Sequence, residues 1–407
     1  MSFLAPFRAL RPAANVAARV ASVPYDVVNA DEARALASGE PLSFLHVTRS
    51  EIDLPAGTPP YSDEVYQRAV ANLAHLRETA PLVRDAEPSL YVYRLTMGAH
   101  VQTGVAGVFS VDEYEQGSIK KHEKTRKDKE DDRTRHIVDT GAQTGVVFLT
   151  YRQSKAVDAA IAKAVTTPML YDLTAPDGVR HQIWRVTGGD ADGLMRGFRD
   201  IQALYIADGH HRAASAARAR QDLARAGRPS VEADRFIAVA FSDAAVQILP
   251  YNRTVKDLAG HTAQSFLSAL EQNGMPATPG RSTPGHAGRV SMFLDGRWFE
   301  FSLPDPASGA PRHETLDVEV LQQNVLGPLL HVGDPRTDKR VDFVGGIRGP
   351  AELERLVQSG HAAVAFSLHP VGIDDLMAIS DAGGIMPPKS TWFEPKLRDG
   401  LLVHLVG

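Results

Sequence analysis

Cysteine is absent from all 407 residues, and its absence excludes several kinds of chemistry at once. Without a thiol the chain can form no disulfide, has no thiolate nucleophile and offers no ligand to an iron–sulfur cluster or a cysteine-bound zinc ion. Long apolar runs are missing too, and the first residues show no basic stretch followed by an apolar one. We therefore expect a cytoplasmic protein with no membrane partner.

Blocks of one sign of charge are also missing. The net charge is -5 at pH 7, from 44 basic and 49 acidic residues spread along the chain, which gives no electrostatic reason to expect a nucleic-acid partner. The glycine-rich signatures of P-loop and dinucleotide-binding proteins do not occur, so a nucleotide would have to be held by another device. The sequence leaves open whether the chain forms a homo-oligomer.

The remaining composition is that of a globular protein, because 43% of the residues are hydrophobic. Apolar residues at helical spacing predict a helix at residues 63–78, and alternating residues predict a hairpin from two strands at 90–95 and 101–111. The almost wholly charged stretch at 119–137 is interpreted as a second helix. Mixed helices and hairpins favour an α+β fold over a regular βαβ array. A proline- and glycine-rich stretch at 273–288 predicts a linker between domains at residues 1–272 and 289–407.

A short apolar run at residues 204–207 leads directly into a polar turn and an alanine-rich helix. At a helix start the first backbone N–H groups have no partner within the helix, so they favour an anion such as phosphate. The alternative is a simple helix cap with solvated side chains. Because three adjacent polar side chains exceed what a cap requires, we favour the phosphate site, made of Asp208, Gly209, His210, His211 and Arg212.

The second candidate is the charged segment that begins at Lys120. Lysine is scarce, with eleven among the 44 basic residues, yet five of the eleven fall within residues 120–129. Cations around Glu123 would keep its carboxylate ionised and able to accept a proton or to hold magnesium. The alternative is a solvated helix laced by ion pairs four residues apart. The side chains that could act here are Lys120, His122, Glu123, Lys124 and Arg126.

The third candidate is the proline-rich tail at residues 386–396, in which Trp392 and Phe393 should pack against the core. Lys389 and Lys396 are two of the few lysines in a sequence whose basic residues are mostly arginine. A strap that only packs against the core is the alternative. Asp342 and the pair Asp374 and Asp375 could hold magnesium, although a structural role is favoured, and the sequence leaves the metal ligands unknown.

Together these segments resemble the bacterial family known as domain of unknown function 1015. The resemblance extends from end to end. It depends on several short motifs together rather than on any one of them. The motifs are residues 6–12, 24–27, 43–47, 122–125, 132–133, 208–212, 249–253 and 386–397. The turn around Gly209 also resembles the Gly-x-x-Arg turn of the ParB and sulfiredoxin superfamily, which implies a similar nucleotide-binding core. Sulfiredoxin carries a cysteine where His210 stands, so its activity is excluded here.

That resemblance implies an enzyme similar to free serine kinases, which phosphorylate L-serine to O-phospho-L-serine. Residues 208–212 would then hold the phosphates of ATP or another donor together with Mg²⁺, assisted by Lys389 and Lys396. Glu123 would take the proton of the serine hydroxyl, amid positive charge from Lys120, Lys124 and Arg126, with His122 beside it. By charge matching, the amino acid's ammonium and carboxylate are assigned to two pairs of residues: Tyr25 with Asp26, and Asn252 with Arg253.

Two other functions remain open. One is a nucleotide-dependent regulatory or DNA-binding protein similar to ParB, although the basic stretch is interleaved with acids such as Glu123, Asp128 and Asp131. The other is a phosphate-ester hydrolase that uses the same turn.

Overall fold

The computed structural model describes residues 3–79 and 82–407. Its described helices are α1 (Ala17–Val20), α2 (Ala30–Ala37), α3 (Leu45–Thr48), α4 (Asp63–Thr79), α5 (Val111–Gln116), α6 (Lys127–Thr140), α7 (Lys155–Ala164), α8 (Gly188–Arg199), α9 (His210–Arg225), α10 (Ala263–Gln272), α11 (Asp317–Leu321), α12 (Gly349–Gln358) and α13 (Ile373–Asp381). None of them combines the length and the apolar character that a membrane span requires.

The described strands run from the first residues to the last. They are β1 (Leu4–Ala5), β2 (Leu10–Arg11), β3 (Val83–Arg84), β4 (Leu90–Met97), β5 (His100–Ser110), β6 (Ile119–Lys120), β7 (Ala142–Gln143), β8 (Val147–Tyr151), β9 (Tyr171–Thr174), β10 (Arg180–Val186), β11 (Leu204–Asp208), β12 (Arg235–Ser242), β13 (Gln247–Leu249), β14 (Tyr251–Val255), β15 (Thr278–Pro279), β16 (Arg289–Leu294), β17 (Arg297–Ser302), β18 (Val341–Gly345), β19 (Val364–Leu368), β20 (Trp392–Glu394) and β21 (His404–Leu405). The predicted α+β class is confirmed by these mixed elements, and the predicted hairpin is the antiparallel pair of β4 and β5.

Backbone contacts divide the chain into two units. The first contains Met1–Val246 and Pro395–Gly407, and the second contains Gln247–Glu394. The predicted linker at 273–288 therefore falls inside the second unit, where Thr278 and Pro279 pair with β17. A loop within a unit and a linker between units are both rich in proline and glycine. Composition alone therefore did not distinguish the two.

The first unit is built on one large mixed sheet. Its strand order is β6-β11-β8-β12-β5-β4-β10-β9, with β1 beside β5. A continuous apolar core covers this sheet, with fully buried side chains such as Phe109, Leu149 and Ile206. Three of its strands, β8, β11 and β12, are buried along nearly their whole length, which explains why they read as apolar runs in the sequence.

The second unit has its own six-stranded sheet, in the order β15-β17-β16-β19-β14-β18. Helix α12 packs on β16 and β19 through Leu353. The proline-rich tail belongs partly to this unit, because β20 pairs antiparallel with β13. Trp392 stands edge-on to Tyr251, with ring centroids 5.1 Å apart, so the expected packing of the tail against a core is confirmed here.

The single helix expected at 119–137 is wrong for its first eight residues. Residues 119–120 form β6, residues 121–126 are irregular, and α6 begins only at Lys127. The acids Asp128 and Glu130 lie in the first turn of α6, where a helix start favours negative charge. Glu123 therefore lies on a loop between a strand and a helix, in what we call the 121–126 loop.

Candidate functional site

The predicted turn lies where β11 ends and α9 begins. Gly209 has φ 91° and ψ 33°, a left-handed conformation that only glycine adopts without strain. A Cβ atom at this position would also come within 3.4 Å of the Val147 backbone and 3.2 Å of the Arg212 side chain. The positive φ strongly favours glycine here, and the turn directs the first N–H groups of a sixteen-residue helix to one edge of the sheet.

Two strands deliver the candidate residues to the same edge. Strand β6 pairs parallel with β11, with Ile119 beside Leu204 and Lys120 beside Tyr205. Since parallel strands end at the same edge, the 121–126 loop and the turn at Gly209 emerge side by side. The charged segment and the phosphate-type turn, 85 residues apart in the chain, are thereby brought together.

Glu123 and His210 meet across these two segments. The Nδ1 atom of His210 lies 3.7 Å from Oε2 of Glu123, and the Glu123 side chain is 47% exposed while that of His210 is 4% exposed. His210 is thus a buried imidazole beneath a carboxylate that reaches solvent. Burial, and next the neighbouring His122, hold the pKa of His210 well below its usual value, so the ring is neutral.

His122 lies directly against His210. The two rings stand edge to face, with centroids 4.4 Å apart. Burial lowers the pKa of His122 to about 4, although the nearby Asp208 opposes the change. Its Nδ1 atom is buried without a hydrogen-bond partner, so the site contains an unsatisfied polar atom, which in native proteins calls for an explanation such as an absent ligand or water.

Asp208 ends β11 and is paired with the C-terminal segment. The Nζ atom of Lys396 donates to Oδ2 of Asp208 at 3.0 Å. Burial alone would raise the pKa of Asp208, but Lys396 and then Arg212 outweigh it and hold that pKa well below the usual range. Asp208 is therefore a carboxylate at neutral pH. Lys396 contacts this turn, and its predicted role towards a nucleotide stays a prediction.

Arg212 is buried and directed into the protein. Its Nη2 atom donates to both carboxylate oxygens of Asp26, at 2.6 and 2.8 Å, and Nη1 donates to the Val146 carbonyl at 2.7 Å. The Arg212 side chain is 5% exposed. The structure thus pairs two predicted ligand-binding residues with each other, and the predicted contact of Arg212 with phosphate stays a prediction.

Tyr25 and Arg133 extend this buried group. The guanidinium carbon of Arg133 lies 4.3 Å from the centroid of the Tyr25 ring, close enough for a cation–π interaction. Arg133 also binds Asp132 through Nε at 2.9 Å. A cavity of about 20 Å³ beside Tyr25, Arg133 and Arg212 has room for about one water. A cavity of this size does not admit a nucleotide.

Asp399 is a site residue that the sequence did not reveal. It is 1% exposed, and its Oδ2 atom has no hydrogen-bond partner. Burial raises the pKa of Asp399 to about 7, and Asp26 adds to the rise, whereas Arg212 and the N–H of Val146 oppose it. It lies outside every motif that carries the family resemblance, and a lone aspartate has no pattern.

The pKa of Asp399 leads to a first prediction. The folded protein keeps this proton up to about pH 7, whereas an unfolded aspartate releases it near pH 4. The stability contributed by the bound proton is complete below about pH 4 and is lost as the pH rises towards 7. Asp399→Asn should remove this loss, so its stability relative to wild type should rise between about pH 5 and pH 8 in urea unfolding.

A matched control separates this effect from a general change of charge. Asp192 is exposed on α8, so Asp192→Asn should change stability equally at both pH values. If Asp399→Asn behaved like Asp192→Asn, the buried carboxyl would not hold its proton, and the assignment would fail.

The predicted cations of the charged segment lie at different depths. Lys120 Nζ is 6.0 Å from the centroid of the Tyr205 ring, at the end of β6. Lys124 is exposed. Arg126 is 69% exposed and binds Asp128 at 2.9 Å, and its backbone N–H donates to Nε2 of His211 at 3.0 Å. All three belong to the same edge of the first unit as Glu123, since β6 and the 121–126 loop carry them.

Three predicted ligand residues belong to the second unit. Asn252 accepts the N–H of Leu368 at 3.1 Å, and Arg253 donates to the carbonyls of Pro388 and Lys389 at 3.0 and 2.8 Å. Burial lowers the pKa of Arg253 to about 10. Lys389 has φ 54°, an uncommon conformation for a residue with a side chain. Their roles in binding a ligand stay predictions.

The acidic residues do not form a ready metal cage. Among residues 3–79 and 82–407, no group of three or more His or acidic side chains could hold a metal ion. Asp342 and Asp375 pair with Lys256 and Arg312, and the roles expected of Asp342, Asp374 and Asp375 stay predictions.

A family profile matches most of this chain, and several solved structures are distantly similar to it. A profile of the family described as protein of unknown function (DUF1015) matches residues 4–321. The comparison with curated proteins finds no match.

The similar solved structures include a conserved hypothetical protein from Pyrococcus furiosus, with 15% identity, a TM-score of 0.35, and coverage of 74% of this chain and 95% of that one. They also include a free serine kinase in complex with AMP, with 12% identity, a TM-score of 0.35, and coverage of 73% and 91%. A third is SbnI with C-terminal truncation from Staphylococcus aureus, with 12% identity, a TM-score of 0.40, and coverage of 74% and 87%. Likenesses this weak assign no residue and no activity to the present chain.

Proposed function

This chain belongs to the DUF1015 family, and we propose that it is a kinase that phosphorylates free L-serine. In this reaction the γ-phosphoryl group of ATP, or the terminal phosphoryl group of another donor, moves to the serine hydroxyl. The bond from phosphorus to the leaving oxygen of the donor breaks, and a bond from phosphorus to the serine Oγ forms. The hydroxyl proton passes to Glu123, and the products are O-phospho-L-serine and the donor shortened by one phosphoryl group.

One observation carries the proposal: a solvent-reaching carboxylate stands beside a helix start. Glu123 lies 3.7 Å from the first residue of α9, where backbone N–H groups favour phosphate. Phosphoryl transfer requires little covalent chemistry from a protein, but it does require a positioned acceptor for the hydroxyl proton and positive charge around the moving group. Lys120, Lys124 and Lys396 are the cations that the first unit offers at this edge.

The residues would divide the work as follows. The backbone of Gly209, His210 and His211 would bind the phosphates, in the manner of the similar turn of the ParB and sulfiredoxin superfamily. Lys396 would leave its ion pair with Asp208 and donate to a phosphate oxygen instead. Asp26, whose side chain is 35% exposed, would attract the ammonium group of the amino acid.

Mg²⁺ would bind together with the nucleotide rather than to the protein alone. Mg²⁺ commonly binds through one or two carboxylates, several waters and the phosphates of its substrate. Asp208 is ionised and 27% exposed, so it fits as a single carboxylate ligand. When bound, the ion would neutralise charge on the phosphates.

A direct test uses the whole purified protein with Mg²⁺, each of ATP, ADP and pyrophosphate, and a panel of amino acids with and without hydroxyl groups. Mass spectrometry should detect phosphoserine as the main product. Tight DNA binding with no phosphorylated amino acid from any donor would favour the regulatory alternative, and release of inorganic phosphate alone would favour a hydrolase.

A second prediction concerns Lys396. Lys396→Met should weaken nucleotide binding about tenfold, the loss of roughly one charge-assisted hydrogen bond. Isothermal titration with a non-hydrolysable nucleotide measures it. Lys155, exposed at the start of α7, provides the matched control, and Lys155→Met should bind nucleotide like wild type. Equal affinity in both variants would remove Lys396 from the nucleotide site.

A further inference from the structure

The two adjacent histidines of the turn contact the 121–126 loop at both of its ends. The backbone N–H of His122 is directed at Nε2 of His210 over 3.4 Å. The backbone N–H of Arg126 donates to Nε2 of His211 at 3.0 Å. Glu123 lies between these two anchored positions. Each histidine therefore acts as an acceptor for the loop backbone, whereas the sequence had suggested donors to phosphate.

Helix geometry explains how neighbouring residues reach both ends of a loop. Successive side chains on an α-helix point about 100° apart, so His210 and His211 diverge from the first turn of α9. One is directed inward, with 4% exposure, and the other stays at the surface, half-buried.

The protonation state of His210 follows from the same contacts. A nitrogen that accepts an N–H carries no proton, so the hydrogen of a neutral ring lies on Nδ1. The Nδ1 atom of His210 faces Oε2 of Glu123 at 3.7 Å. This distance is longer than a hydrogen bond, and such contacts often tighten only when substrate binds.

We propose that His210 and His211 are positioning residues that hold the 121–126 loop so that Glu123 stands at the start of α9. His210 adds a second function, because its Nδ1–H directs the Glu123 carboxylate. Phosphate recognition is then left to backbone N–H groups and lysines. The catalytic part of this inference rests on the proposed function, whereas the contacts between histidines and loop do not.

The test combines amide hydrogen exchange with kinetics on the full chain. The surface residue is changed first, because His211→Ala leaves the buried core intact. Loss of one hydrogen bond should speed exchange of the Arg126 amide about tenfold. In His211→Ala, kcat should fall up to about 100-fold, the effect of a misplacement near 1 Å, while the KM for nucleotide should change little. His211→Gln places an acceptor near the Nε2 position and should rescue both exchange and kcat.

His210 gives a second pair of variants with opposite defects. His210→Gln keeps an acceptor near Nε2 and should retain slow exchange of the His122 amide, but it loses the donor to Glu123, so kcat should fall. His210→Asn keeps a donor near Nδ1 and should show faster exchange with a smaller loss of kcat. If His210 acted only through packing, the two variants would not show opposite effects on amide exchange and on kcat.

Two results would overturn the inference. The first is an Arg126 amide that exchanges equally fast in wild type and His211→Ala. The second is a rise in the nucleotide KM with kcat unchanged in His211→Ala, which would make His211 a phosphate ligand. The exchange experiment needs no substrate, so a protein with the expected exchange but no kinase activity would refute the proposed function and leave the loop contacts standing.

Discussion

Glu123→Gln should lower kcat for serine phosphorylation by roughly 10²- to 10⁴-fold, the usual contribution of a general base. Glutamine keeps the shape of the side chain but cannot accept the hydroxyl proton. Nucleotide affinity should change by no more than about twofold, because the variant removes an interaction made only during reaction. Steady-state kinetics and isothermal titration on the same preparation measure both quantities.

The matched control for this variant is Glu64→Gln. Glu64 is an exposed acid in the first turn of α4, and its loss should leave kcat unchanged. An equal loss of nucleotide affinity and turnover in Glu123→Gln would mean that Glu123 binds the nucleotide or its metal. Unchanged turnover would remove Glu123 from the reaction altogether.

Arg212→Ala should lower the free energy of unfolding by about 3 to 5 kcal/mol, as expected when one partner of a buried ion pair is removed. Arg212 is the cation between Asp26 and the buried Asp399 and lies close to Asp208. Without Arg212, Asp26 loses its ion-pair partner and the Val146 carbonyl loses its donor, whereas Asp208 keeps its pairing with Lys396. Urea unfolding at neutral pH measures the change, and nucleotide affinity should fall as well.

Arg220 on the same helix is the matched control. It binds Asp112 and Glu115 at 2.6 and 2.7 Å, but these partners are 65% and 38% exposed. Exposed pairs contribute little, so Arg220→Ala should cost less than about 1 kcal/mol. If the two variants were equally stable, the buried group around Arg212 would not stabilise the fold.

The turn itself was predictable because its signals are local. An apolar run at 204–207, a glycine and an alanine-rich segment predicted a strand, a turn and a helix, and β11 and α9 have those positions. Each signal acts within a few residues, through burial, left-handed φ and helix propensity.

The proximity of Glu123 to this turn was not predictable. It depends on β6, a strand of two residues whose pairing with β11 joins segments 85 residues apart. Two residues show no period, and the charged residues that follow read as one continuous helix. Strand pairing over such a distance leaves no local pattern in the chain.

The partners of Arg212 were hidden for the same reason. Asp26 lies 186 residues away in the sequence, and Asp399 comes from the last residues of the chain. Helix-start chemistry and the family resemblance assigned Arg212 to phosphate, and charge matching assigned Asp26 to the amino acid's ammonium group, because a sequence shows which charges exist but not which of them meet. The structure pairs them, and their roles towards ligand remain proposals.

The most direct measurement follows a labelled γ-phosphoryl group from ATP during a single turnover, with enzyme in excess and L-serine and Mg²⁺ present. Our account predicts that most of the label appears in O-phospho-L-serine with wild type and that transfer becomes slow with Glu123→Gln. Label that appears only in inorganic phosphate, or transfer to serine at the same rate in both proteins, would contradict it.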